Sequence, residues 1–129
     1  MPTYARMRRS EDFRRTVRLG VRTGRRTLVV HAFRAQPASP VVDHSAAAAA
    51  TRGEEPRVGF VVSKAVGSAV CRNRVRRRLR HLSRPHLSEL TPGTLVVVRA
   101  LPPAGSAGSE LSADLDAAWA SAMAKLGRR

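Results

Sequence analysis

Between Ser63 and Arg84 the sequence reads SKAVGSAVCRNRVRRRLRHLSR, which puts six arginines into the nine residues from Arg72 to Arg80. A run so charged can belong to a folded domain only if it has a second, apolar side. Wound at about 100° per residue it has one: Cys71, Val75, Leu79 and Leu82 recur at i, i+4, i+8 and i+11 and form a stripe that can pin a helix to a core. Arg72, Asn73, Arg76, Arg80 and Arg84 then fall on the opposite side, and Arg74 and Arg77 flank it. Only Arg78 lands near the stripe, where its head has to snorkel past the packed edge. No acidic residue occurs from Lys64 to Pro85, so like charges at i and i+4 repel by a few tenths of a kcal/mol per pair. An anionic partner is therefore expected on the outer arc. The guanidinium fork matches two phosphate oxygens at once and stays charged at any relevant pH, so a phosphate backbone is the natural partner.

The whole chain carries the same bias. Its 129 residues hold 24 Lys and Arg against 9 Asp and Glu, a net charge of +15, which reads as an electrostatic footprint for nucleic acid. An anionic membrane is the weaker candidate, because no apolar run approaches the roughly 20 residues of a spanning helix. The start MPTYARMRRSEDF has no apolar secretory segment, so a cytoplasmic protein is expected. This length implies one domain with one modest core. The single Cys71 excludes an internal disulfide and reads as a small core residue.

In chain order, Met1 to Arg9 has no periodicity and is expected to be a mobile arm. Ser10-Glu11-Asp12-Phe13 reads as a helix start that Gly20 closes, with Phe13 and Val17 on one face. Arg22 to Arg26 reads as a basic turn. Thr27 to Arg34 reads as a strand with Leu28, Val30 and Ala32 on one side and Val29, His31 and Phe33 on the other. The rings of His31 and Phe33 suit either a base-stacking surface or the edge of the core. Residues 36–56, QPASPVVDHSAAAAATRGEEP, read as a flexible insertion between strands. Arg57 to Ser63 is strand-like, and Thr94 to Leu101, the most hydrophobic run, should be a central strand covered on both faces. With the arginine helix between them they make a βαβ unit. A last helix starts at Ser109, with Leu111, Leu115, Ala118, Trp119, Ala122 and Leu126 on one stripe. Glu110 and Asp114 lie in its first turns, where they complement the helix dipole.

Phosphodiester hydrolysis needs a general base, a general acid or carboxylates that hold metal ions. The arginine helix offers none, since arginine does not titrate. His31, His44, His81 and His86 have no metal-ligand spacing with Cys71, and no HExxH or GxxxxGK[ST] occurs. The residues describe a binding subunit and not a nuclease acting alone.

The strand Arg57-Val-Gly-Phe-Val-Val-Ser-Lys64, the turn Ala65 to Val70 with Ser68 as its N-cap, and the helix opening Arg72-Asn73-Arg74 together resemble the signature of the bacterial ribonuclease P protein component. The resemblance runs from about Arg8 to Leu101. It implies an α+β fold, ribosomal protein S5 domain 2-like, with a small central sheet, an N-terminal helix, an arginine-rich crossover helix and a C-terminal packing helix. It implies ribonuclease P as the enzyme, with the active site and its magnesium ions in the RNA subunit, no catalytic residue and no metal in the protein, and ribonuclease P RNA and precursor transfer RNA as partners. Carried over, Lys64, Arg72, Asn73, Arg74, Arg76, Arg77 and Arg80 would contact the catalytic RNA or sit beside its metal-binding region. Phe13, Val17, Val29 and His31 would line the cleft that receives the single-stranded 5′ leader. Val17 and His31 stand where many relatives have aromatics, which implies weaker stacking, and Ser68 replaces a usual asparagine. On the residues alone, a generic RNA-binding or ribosomal-type protein stays open. A DNA-binding protein is disfavoured by the lack of a helix-turn-helix pattern or heptads.

Overall fold

The run Thr94–Ala100 is buried at every position but Arg99, as the side chains of a strand covered on both faces should be. It is the centre of the sheet. The computed structural model describes Met7, residues 10–34 and residues 55–127. In chain order these form α1 (Ser10–Leu19), β1 (Val21–Gly24), β2 (Leu28–Arg34), β3 (Arg57–Val61), α2 (Ala69–Ser83), β4 (Thr94–Ala100) and α3 (Ser109–Gly127). The sheet order is β1-β2-β4-β3. β4 pairs antiparallel with β2, from Leu28 opposite Ala100 to Arg34 opposite Thr94, and parallel with β3. The expected βαβ unit is therefore present as β3-α2-β4, and the fold is a small α+β domain.

β1 corrects the reading of Arg22 to Arg26 as a turn: Val21 to Gly24 pair with Ala32 to Val29 as an edge strand, and Arg25, Arg26 and Thr27 turn the chain. Its four residues, Val-Arg-Thr-Gly, carry too little apolar alternation to announce a strand. What makes them one is the open edge of β2, whose peptide groups need partners.

Each face of the sheet has its own core. Leu28, Val30, Ala32, Val58, Val96 and Val98 join Val75 and Leu79 of α2 and Leu111, Leu115, Trp119 and Leu126 of α3 in the larger cluster. The stripe expected for α3 is buried in full. On the opposite face Met7, Leu95 and Val97 meet Phe13, Phe33 and Val61. Met7 is thus not part of a mobile arm: it is 7% exposed, and its N–H donates to the Val58 carbonyl at 3.0 Å. Gly59 lets α1 approach this face, since a Cβ there would collide with the Phe13 ring. The rest of the N-terminal arm and the insertion, apart from Glu55 and Pro56, lie outside the described residues.

The first turns of α3 do more than complement a dipole. Asp114 Oδ2 accepts from the Thr27 hydroxyl at 2.6 Å and from the Thr27 N–H at 3.1 Å, and Arg26 forks onto both Glu110 oxygens at 2.9 Å. α3 is thereby tied to the β1–β2 corner. The Thr27 hydroxyl first, then its N–H and the guanidinium groups of Arg25 and Arg26, hold the Asp114 carboxyl below the usual carboxylate range, against the opposing effect of burial. A depressed folded pKa gives stability that is complete above the unfolded value, about 3.9, and is lost as pH falls through the folded value. Asp114→Asn should cost about 1–3 kcal/mol near neutrality. In urea melts the gap from wild type should be constant above about pH 5 and close below about pH 4. A gap that widened on acidification would contradict this.

Candidate nucleic-acid interface

The turn into α2 depends on two residues. Gly67 has φ 153° and ψ −160°, a conformation that a side chain rarely permits. Ser68 is the N-cap as expected, its Oγ accepting from the Cys71 N–H at 3.2 Å. Val75 and Leu79 are fully buried, and Cys71 and Leu82 are partly buried against the same core. Cys71 Sγ lies 3.9 Å from the Val66 carbonyl oxygen and 3.8 Å from that of Gly105, a packing position as read.

The outer arc differs in detail from expectation. Ser83 is fully buried, which widens the buried side of α2 toward the row Arg72, Arg76 and Arg80. All three are half-buried rather than opposite the core. Arg72 Nε is buried without a hydrogen-bond partner among the described residues. Arg76 Nη1 donates to Asn73 Oδ1 at 3.1 Å, so Asn73 orients a guanidinium. Arg74 and Arg77, expected as flanks, are exposed, as are Asn73, His81 and Arg84; Arg74 Nη2 lies 3.9 Å from Cys71 Sγ, and Lys64 is exposed in the preceding turn. Val70 lies at the start of this outer face and is 77% exposed. Nothing in the apolar periodicity singled it out. Among the described residues no carboxylate pairs with Arg72, Arg74, Arg76 or Arg77.

Arg78 is different. Its Nη1 and Nη2 donate to the carbonyls of Ala107 and Gly108 at 2.6 and 2.7 Å, so the arginine on the stripe's edge clamps the entry to α3. We expect Arg78→Gln to lower the unfolding free energy by about 1–3 kcal/mol and to leave the salt dependence of RNA binding unchanged. A slope shallower by about one unit would mark Arg78 as a phosphate contact.

Of the four residues expected in a leader cleft, Phe13, Val29 and His31 share the α1 side of the sheet. Val29 and His31 are only 4% and 5% exposed, and the Phe13 ring lies on Gly59. Val17 is 48% exposed, on the solvent flank of α1. Among the described residues no three of His, Cys, Asp and Glu come together as metal ligands, and no helix is long and apolar enough to cross a membrane. His86 stacks on Trp119 with ring centroids 4.9 Å apart, and its ring nitrogens face Asp116 at 2.8 Å and Glu89 at 3.3 Å. That cluster joins the 3-10 turn Arg84–Glu89, which follows α2, to α3.

The profile of the family described as Ribonuclease P matches residues 1–123. The chain belongs to that family. It is 54% identical to the ribonuclease P protein component of Streptomyces griseus, over 92% of this chain and 91% of the relative. It is 51% identical to that of Salinispora tropica, over 96% and 94%. In fold it is similar to the ribonuclease P protein of Staphylococcus aureus, with a TM-score of 0.70 and 24% identity over 92% of this chain and 94% of that one. The Thermotoga maritima ribonuclease P protein gives 0.61 and 19%, over 85% and 90%. Membership of the ribonuclease P family agrees with what the strand, turn and arginine helix implied.

Proposed function

We propose that this chain is the protein subunit of a cytoplasmic ribonuclease P ribonucleoprotein. It docks on the catalytic RNA through the exposed face of α2, receives the 5′ leader of precursor transfer RNA on the α1 side of the sheet, and assists the cut that yields the mature 5′ end. The observation that carries this reading is the outer face of α2: Lys64, Arg74 and Arg77 are exposed with no carboxylate partner among the described residues, and apolar contacts fix the helix from behind. Such a surface binds and orients a polyanion, and its arginines cannot transfer a proton. Magnesium ions are held mainly by the RNA. Arg72, Arg76 and Arg80 lie half-buried beside that surface, and Asn73 supports it by accepting from Arg76.

Mixed with its cognate RNA at low magnesium, the protein should stimulate 5′ maturation of precursor transfer RNA, and alone it should cleave nothing. Cleavage by the RNA that is the same with and without protein would overturn the assignment, as would cutting by the protein alone.

A further inference from the structure

Arg99 is the anomaly of the sheet. β4 is paired on both sides, and six of its seven residues are buried, yet Arg99 is exposed. A charged side chain at the sixth of seven positions of a central strand needs an opening to water on its own face. The register identifies that face. Arg99 is opposite Val29 in β2 and Val61 in β3, on the α1 side, and Arg22 in β1 is directly opposite His31, two residues along. Two exposed arginines thus bracket His31 on one face. The paired sheet positions of this face hold no carboxylate: they are Phe33, Leu95 and Arg57, then Arg22, His31, Val97 and Gly59, then Gly24, Val29, Arg99 and Val61.

His31 is more than nine-tenths buried, and its Nδ1 has no hydrogen-bond partner among the described residues. Burial first, then the charges of Arg22 and Arg99, push its imidazole below the usual histidine range. It is therefore neutral at physiological pH, with one ring nitrogen to donate and one to accept. The aromatic rings of this face are already engaged. Phe13 lies on Gly59, and Arg15 stands over the Phe33 ring at 5.4 Å. Each phenylalanine ring thus already has a packing partner.

We propose that Arg22, His31 and Arg99 form a phosphate site on the α1 side of the sheet, so that the strand lying there is held by its backbone charge and not by base stacking. This rests on the reading above that a single-stranded 5′ extension of the substrate occupies this face. Recognition by phosphate is indifferent to leader sequence, and Lys125, which donates to the Arg22 carbonyl at 2.9 Å, steadies the edge strand that carries one of the two charges.

The test measures the affinity of the assembled protein–RNA complex for precursor and for mature transfer RNA across a salt series. With wild-type protein the preference for precursor should fall as salt rises. Arg22→Gln and Arg99→Gln should each remove about 0.7 from that slope and lower the preference about fourfold at 0.15 M salt, the value for one single-strand phosphate contact. His31→Phe, which keeps a ring and loses both nitrogens, should lower the preference too. Thermal melts of the variants are the check that they fold. A wild-type preference for precursor with unchanged slope and preference in both arginine variants would overturn the phosphate site and leave the leader reading standing. A preference raised by His31→Phe would also overturn it, in favour of stacking. No preference for precursor in the wild-type complex would sink the leader reading itself.

Discussion

Leu79→Ala is expected to lower the unfolding free energy by about 2–5 kcal/mol, the range for truncating a fully buried leucine whose surroundings relax only in part. Leu79 is 0% exposed and belongs to the cluster that joins α2, α3 and the sheet. The loss is large against the 5–15 kcal/mol or so that holds a domain together. It falls on a helix with no stability to spare, because the arginines of α2 repel one another along its length and no acidic side chain within it relieves them. Docking of the stripe, not intrinsic propensity, keeps α2 helical. Arg77→Ala on the exposed side should stay within about 0.5 kcal/mol. Urea melts decide the matter: equal midpoints for the two variants would mean that the buried side of α2 is assigned wrongly, and a changed slope with denaturant would point to the unfolded state instead.

The contrast between Leu79 and Arg77 was legible in the sequence, and the finer division of the arginines was not. Periodicity finds a stripe because apolar residues repeat, and it found those of α2 and α3, together with the three strands rich in β-branched residues. It is blind to Ser83, a small polar residue that is fully buried and that carries the buried side of α2 round to Arg72 and Arg76. It is equally blind to what a backbone carbonyl will accept. Arg78 clamps Ala107 and Gly108, and Asp114 holds Thr27, across about 30 and 90 residues of chain respectively; no local pattern encodes such pairs. β1 and Met7 were missed for a related reason, since both are ordered by edges and grooves that exist only once the sheet has formed. Alternation in β2 gave the correct face for Val29, His31 and Phe33 but not their exposure, because alternation assigns sides and says nothing of what lies on them. Arg99 was visible throughout, one charge within TLVVVRAL. It became informative only when the register put it beside His31.

The largest functional effect should come from removing the two exposed arginines in the middle of α2, Arg74 and Arg77. If Arg74 and Arg77 each meet one phosphate of the catalytic RNA, the double alanine variant removes about 1.8 from the slope of log affinity against log salt, taking about 0.9 per contact on a duplex backbone. That predicts a loss of about 30-fold at 0.15 M salt relative to the limit near 1 M, where counterion release no longer drives binding. At 0.05 M the loss grows to roughly 200-fold. A side chain that only supported the fold would weaken binding by a similar factor at every salt concentration, so the slope separates contact from support where a single affinity cannot. Arg78→Gln is the internal control, since its guanidinium is committed to the α3 entry and its variant should run parallel to wild type. Binding curves for the RNA at constant magnesium and varied monovalent salt supply the measurement. Parallel lines for the double variant and wild type would move the RNA interface away from the outer face of α2, and with it the function proposed for this chain.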